Sequence, residues 1–230
     1  MQYTTLLMDV DDTILDFQQC EYHALEAALT HNGLPFDQMI YERFSSINAA
    51  LWRQFELNKI TRAELRVRRF AELIVQCLTG FDDATQLADE YVTQLAEQAI
   101  YFSGAQEALA RLSKVCSIYL ITNGLKPVQR GRLAKAGLYA YIKDCFISDE
   151  MGVQKPMKAY FDRVLSRVNE QDTTKILVVG DSLTSDMQGG RNASLTTCLY
   201  DPKGKVALPH PLCDFRITSL EELIPMCTGQ

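Results

Sequence analysis

The stretch Leu6-Leu7-Met8-Asp9-Val10-Asp11-Asp12-Thr13 is an apolar run that ends abruptly in three acids and a threonine. Apolar runs of this length read as buried strands. Side chains alternate across a strand, so Asp9 and Asp11 project to the same side where it ends. Two carboxylates so placed repel each other and call for a cation, a proton or a hydrogen-bond network. Further reactive groups follow downstream: Thr122-Asn123-Gly124, Lys155-Pro156, Gly180-Asp181-Ser182 and Asp186. Each alone has a bland reading, as a turn, a helix start with an exposed lysine, or a strand-to-helix cap. Together, after successive apolar runs, they form a set of acids, a hydroxyl and a lysine that belongs at one sheet edge.

The elements that must position this set alternate in type. Candidate strands are Thr5–Asp9, Ser117–Thr122, Cys145–Ser148, Lys175–Gly180 and Thr196–Tyr200, with a weaker one at Phe215–Ile217. Helical patterns fall between them, over Ala105–Leu112, Pro127–Ala136, Ala159–Val168 and Asp186–Asn192. Short, continuously apolar strands imply a parallel sheet with helices on both faces, an α/β, Rossmann-like class. Ligands of open α/β sheets sit beyond the carboxyl ends of the strands, where the reactive residues fall.

Residues 16–98 read differently, as four amphipathic helices with short links, a small bundle inserted after the first strand. Asp16 with Gln19 and Thr61 with Glu64 are capping-box patterns. Phe44, Ile47, Leu51 and Phe55 make the bundle-facing stripe of the second helix, while Asn48 and Trp52, spaced i, i+4, share an adjacent stripe. The expected division is a catalytic core of residues 1–15 and 99–230 and a helical insert of residues 16–98.

Composition narrows the function classes. The chain has 230 residues, 47% of them hydrophobic and 23% charged, with a net charge of −6. That balance suits a globular protein and argues against binding along a nucleic-acid backbone. An acidic chain can still hold a phosphate where local cations outweigh the global field. The seven cysteines are widely spaced, with no CxxC, and read as reduced thiols of a cytoplasmic protein. No basic-then-apolar leader precedes Thr5, and no apolar run is long enough to span a bilayer.

In that order and spacing, Asp9-Val10-Asp11-Asp12-Thr13 resembles the first motif of the haloacid dehalogenase-like (HAD) phosphohydrolases. Thr122 resembles their second motif, Lys155 their third, and Asp181 with Asp186 their fourth. The likeness covers nearly the whole chain, and the insert resembles the family's helical C1-type cap. Leu120-Ile121-Thr122-Asn123-Gly124 and Gly180-Asp181-Ser182-Leu183-Thr184-Ser185-Asp186 are similar to the bacterial pyrimidine 5′-nucleotidase branch. Two departures, Met157-Lys158 where another proline is common and Ala193-Ser194 where Ala-Gly is usual, touch turn geometry and remove no reactive group.

The resemblance implies a Mg²⁺-dependent phosphomonoester hydrolase. Asp9 would be the nucleophile and a metal ligand, with Asp181, the Asp11 backbone carbonyl and Asp186, directly or one layer out, as the other metal-binding positions. Asp11 would protonate the leaving oxygen and then activate water. Thr122, Asn123 and Lys155 would hold the phosphoryl group. The family's dehalogenases lack the acid at the position of Asp11, because a halide leaves without a proton. The implied partner is a small phosphorylated metabolite, foremost a nucleoside monophosphate, with a sugar phosphate or phosphoglycolate as the alternative. Neither a nucleic-acid polymer nor a membrane is expected as a partner. Phe17, Asn48 and Trp52 are the candidates for contacting a base. A non-enzymatic reading, as a phospho-accepting receiver or a ligand-binding relative, is disfavoured by the helical insert and by the completeness of the reactive set.

Overall fold

A computed structural model describes residues 2–229. Six strands, β1 (Thr5–Met8), β2 (Ser117–Thr122), β3 (Asp144–Ile147), β4 (Ile176–Gly180), β5 (Thr196–Tyr200) and β6 (Phe215–Ile217), form one sheet in the order β3-β2-β1-β4-β5-β6. Every pairing is parallel. Four helices follow β1: α1 (Phe17–His31), α2 (Gln38–Glu56), α3 (Arg62–Cys77) and α4 (Ala84–Ala96). The strands after them are separated by α5 (Ala105–Leu112), α6 (Lys126–Lys135), a short α7 (Ser148–Met151), α8 (Lys158–Leu165) and α9 (Gln188–Asn192), and α10 (Leu223–Thr228) follows β6. The α/β class with a helical insert is therefore as expected. No helix among the described residues is long and apolar enough to cross a membrane.

The chain divides into two compact units, one running to Phe17 and resuming at Ala99, the other spanning Gln18–Gln98. In the first, the sheet is buried on both faces, which is why its strands are apolar throughout. Leu6 and Met8 of β1 face a core with Ala108, Leu109 and Leu112 of α5 and Leu133 of α6. Leu7, one residue out of phase, faces Tyr119, Phe146, Tyr160, Phe161 and Val164. Successive strands are added on one side of β1 as far as β3, and β4 then starts the other side. The order thus reverses beside β1, and at such a switch point two strand ends flank an open crevice.

Local differences from the sequence reading have local causes. The first helix starts at Phe17, whose N–H donates to Asp12 Oδ1 at 3.1 Å, so Asp12 shapes its entry. Ser148 leaves the third strand to open α7. The helix expected from Asp186 is preceded by a wide, π-helical turn over Leu183–Met187, opened by Ser182 Oγ accepting from the Ser185 N–H at 3.1 Å.

In the second unit, side-chain caps start three helices: Asp37 on the Ile40 N–H, the Thr61–Glu64 capping box, and Asp83 on the Gln86 N–H. Phe44, Phe70 and Tyr91 meet with ring centroids 5.1–5.4 Å apart. Here the expectation for Asn48 is corrected. Its side chain lies in the bundle interior, 3% exposed, with Nδ2 donating to Glu21 Oε1 at 2.6 Å and Oδ1 accepting from Arg69 Nη1 at 3.2 Å. Glu21 and Arg69 are themselves buried, and Arg69 lies 4.6 Å over the Tyr91 ring. Two buried charges need hydrogen-bonding company, and Asn48 bridges them. Its amide nitrogen and oxygen both bond inside the bundle, so the Asn48 side chain is turned inward rather than shared with Trp52 on a ligand-facing stripe. Trp52 is half-buried and edge-on to Phe55 at 5.6 Å. Asn48→Ala should lower the unfolding free energy by about 1–3 kcal/mol, by stranding the Glu21 and Arg69 groups it satisfies. A lowered urea midpoint with unchanged slope is the expected measurement; an unchanged midpoint would refute the bridging role.

Candidate active site

The reversal beside β1 sets the ends of β1, β2 and β4 next to one another. Leu7 is in register with Tyr119 on one side and Val178 on the other, so Asp9, Thr122 and Asp181 emerge at nearby levels. The backbone after Asp9 turns at once: Ile14 and Leu15 donate to the Val10 carbonyl, both at 2.9 Å, and Asp12 takes a left-handed φ of 58°. Aspartate is among the few side chains that accept this conformation. The turn leaves Asp9 in the buried strand end and Asp11 one step out, against α6.

Lys155 is at the centre of the site. It is 1% exposed, and its Nζ donates to Asp9 Oδ1 at 2.6 Å, Asp186 Oδ1 at 2.7 Å and the Ile121 carbonyl at 3.0 Å. Its three donors are therefore all used. Asn123 clamps the same residue through the main chain, its Nδ2 on the Lys155 carbonyl and its Oδ1 under the Lys155 N–H, both at 2.9 Å. A backbone role for Asn123 toward an anion is separate from this side-chain clamp. Asp186 is fully buried, and its Oδ2 accepts the Ser182 N–H at 3.2 Å. A Cβ on Gly180 would run into the Asp186 carboxylate, so glycine at the end of β4 is what lets Asp186 approach.

Electrostatics mark this as a site with more acid than base. Burial pushes Asp9 well above the usual carboxylate range, and Asp186 and Asp11 add to the push against Lys155. Burial likewise raises Asp181, helped by Asp9 and Asp186. For Lys155, burial works toward loss of the proton, but Asp186 and Asp9 overrule it and hold the ammonium above its ordinary value. One ammonium thus faces Asp9, Asp181 and Asp186, whose nearest oxygens all lie within 4.8 Å of one another. An all-oxygen donor set with surplus negative charge fits a hard divalent cation such as Mg²⁺.

Thr122 has its hydroxyl orientation decided by its neighbours. Its Oγ1 accepts from Gln129 Nε2 at 2.8 Å and from the Gly124 N–H at 3.1 Å. Both lone pairs are used, and what the group has left to offer is its proton, which suits it to an anion's oxygen.

Two residues that sequence reasoning missed, Gln129 and Arg132 of α6, both reach Asp11. Gln129 Nε2 donates to Asp11 Oδ2 at 2.6 Å, and Arg132 Nη1 is ion-paired with Asp11 Oδ1. Both are buried. A signal was present: α6 must pack on the sheet, yet its only large apolar residues are Val128 and Leu133, so polar residues had to share its inner face. Phe17 belongs here too, since the Arg132 guanidinium lies 5.5 Å from its ring centroid. Of the three candidates for contacting a base, Phe17 thus lies against the Asp11 side of the site, Asn48 is bonded inside the bundle, and Trp52 is on α2.

Comparison with known proteins agrees with this geometry. A family model for the haloacid dehalogenase-like hydrolases matches residues 3–194. The chain is 38% identical to the HAD-hydrolase YfnB of Bacillus subtilis, over 96% of this chain and 94% of that protein. The YfnB crystal structure bound to magnesium superposes with a TM-score of 0.90, covering 99% of this chain and 100% of that one. The pyrimidine 5′-nucleotidase PynA of Streptococcus pneumoniae is 37% identical, over 88% of this chain and 85% of that protein. The pyrimidine 5′-nucleotidase YjjG of Escherichia coli is 29% identical, over 97% of both. The chain belongs to the haloacid dehalogenase-like hydrolases.

Proposed function

We propose that the protein is a Mg²⁺-dependent phosphomonoester hydrolase working through an aspartyl-phosphate on Asp9, with pyrimidine nucleoside monophosphates as its preferred substrates. The observation that carries the phosphatase reading is the division of labour between two carboxylates of one strand end. Asp9 is buried against Lys155, whereas Asp11 is held apart by Gln129 and Arg132. A nucleophile and an acid–base group need such different surroundings.

In this reading Asp9, Asp181 and Asp186 hold the cation, with the Asp11 carbonyl beside them. The bound ion supplies positive charge that keeps Asp9 ionised and offsets its repulsion from the phosphate. An Asp9 oxygen attacks phosphorus while the bond to the leaving oxygen breaks, and Asp11 gives that oxygen a proton. Asp11 then takes a proton from water as the water oxygen attacks phosphorus, the Asp9–phosphorus link breaks, and inorganic phosphate departs. Thr122 donates its hydroxyl proton to a phosphoryl oxygen, and Lys155 balances the charge on Asp9 throughout.

Support for nucleotides comes from the two relatives named as pyrimidine 5′-nucleotidases. The shared core motifs serve many phosphatases, so substrate choice belongs to residues outside them, among which Trp52 offers a ring for a base. The cytoplasm, where such metabolites are found, is the matching location.

Hydrolysis of an aryl phosphate should stop on chelation and return with Mg²⁺; full activity without any divalent ion would sink the mechanism. Asp9→Asn should retain the fold and lose turnover. Asp11→Asn should slow hydrolysis of alkyl phosphates by about 10²–10⁴-fold, more than it slows release of an aryl leaving group, which needs less protonation. In a phosphate-release screen at equal concentration, pyrimidine monophosphates should rank first. Sugar phosphates or phosphoglycolate ranking above every nucleotide would overturn the substrate assignment. Trp52→Ala should raise KM for nucleotides and leave aryl phosphate hydrolysis nearly unchanged, whereas equal loss on both would make Trp52 structural.

A further inference from the structure

We propose that Gln129 and Arg132 are positioning residues for the Asp11 carboxylate, and that the step most dependent on them is hydrolysis of the aspartyl-phosphate. This rests on the phosphatase reading above.

Both oxygens of Asp11 are engaged from α6, Oδ2 by Gln129 Nε2 at 2.6 Å and Oδ1 by Arg132 Nη1. A carboxylate held at both oxygens by donors from one helix has little freedom to rotate. Neither donor is free to wander. Gln129 is 1% exposed and spans from Asp11 to Thr122 Oγ1, and Arg132 is fully buried with its guanidinium over Phe17. Gly124 enforces the same arrangement, because a Cβ there would occupy the place of the Gln129 side chain. Gln129 thereby couples the group that handles protons to the one proposed to hold phosphate.

The consequences differ between the two half-reactions. With an aryl leaving group, formation of the aspartyl-phosphate needs little help from Asp11. Its hydrolysis always needs Asp11 to accept a proton from water as the water oxygen bonds to phosphorus and the Asp9 oxygen leaves. The accepted bonds from Gln129 and Arg132 orient Asp11 as a proton acceptor, while the donors themselves give up no proton. Loosening Asp11 should then stall the second step selectively.

The test uses the full chain with Mg²⁺ and a ³²P-labelled aryl phosphate, comparing wild type with Gln129→Leu, Arg132→Gln and Arg132→Lys. The Arg132 variants should release a first equivalent of aryl alcohol at nearly the wild-type rate and then turn over slower by about 10²-fold. In all three variants acid-quenched, alkali-labile label on the protein should rise, with KM not increased for the Arg132 pair. Arg132→Lys, which keeps the charge, should lie between Arg132→Gln and wild type. Raised KM without label accumulation would assign both residues to substrate contact, and faster turnover would make the contact a resting-state brake; either overturns the proposal. If the Arg132 variants fail to fold, label accumulation in Gln129→Leu decides. A wild-type enzyme that never acquires label and releases no phosphate would instead refute the phosphatase reading itself.

Discussion

The site depends on one buried ammonium. Lys155 is almost wholly removed from water, and its three donors go to Asp9, Asp186 and a main-chain carbonyl. Removing a charge from water costs several kcal/mol, and only close, fully hydrogen-bonded partners return it. The arrangement therefore holds together as a set: Asp186 can be buried because Lys155 is there, and Lys155 can be buried because two acids are. Gly180, which makes room for Asp186, and Asn123, which grips the Lys155 backbone, are consequences of the same requirement. Asp181 then adds a third acid to the one ammonium, and a set of acids in excess of its cation suits a divalent ion.

Topology determines why these residues meet at all. Asp9 and Lys155 are 146 positions apart in the chain. They meet because strands are laid down first on one side of β1 and then on the other, leaving the ends of β1, β2 and β4 adjacent. Full burial of β1 on both faces gives this edge a rigid floor. In the turn after Asp9, a left-handed Asp12 and the two bonds to the Val10 carbonyl separate Asp11 from Asp9. Two acids two positions apart thereby acquire different neighbours.

The helix α6 shows how a packing constraint becomes a chemical one. With little apolar surface to offer, it turns Gln129 and Arg132 inward, and both find the Asp11 carboxylate. In the helical unit the same physics has a different outcome. Glu21, Asn48 and Arg69 close a buried polar bridge among three helices, and there the result serves the bundle. Burial, charge and hydrogen bonding are alike in the two places; one lies where strand ends bring reactive groups together and the other does not.

The sequence by itself determined the parallel α/β sheet, the helical insert after the first strand and the clustering of reactive groups at strand ends. Those signals are local: apolar runs of strand length, helical periodicity, caps, and acids that end an apolar run. It also put Asp9, Thr122, Lys155 and Asp181 on one edge, because the carboxyl ends of parallel strands all point one way. Only the tertiary structure decided what each polar side chain spends its hydrogen bonds on. Helical spacing put Asn48 beside Trp52, but the neighbouring helices claimed Asn48, since Glu21 and Arg69 lie 27 and 21 positions away in sequence. Gln129 and Arg132 carry no local mark of their partner, and the fold sets them against an acid 118 and 121 positions away. A buried polar group is committed by whatever partner the fold brings within 3 Å, and no local pattern names that partner.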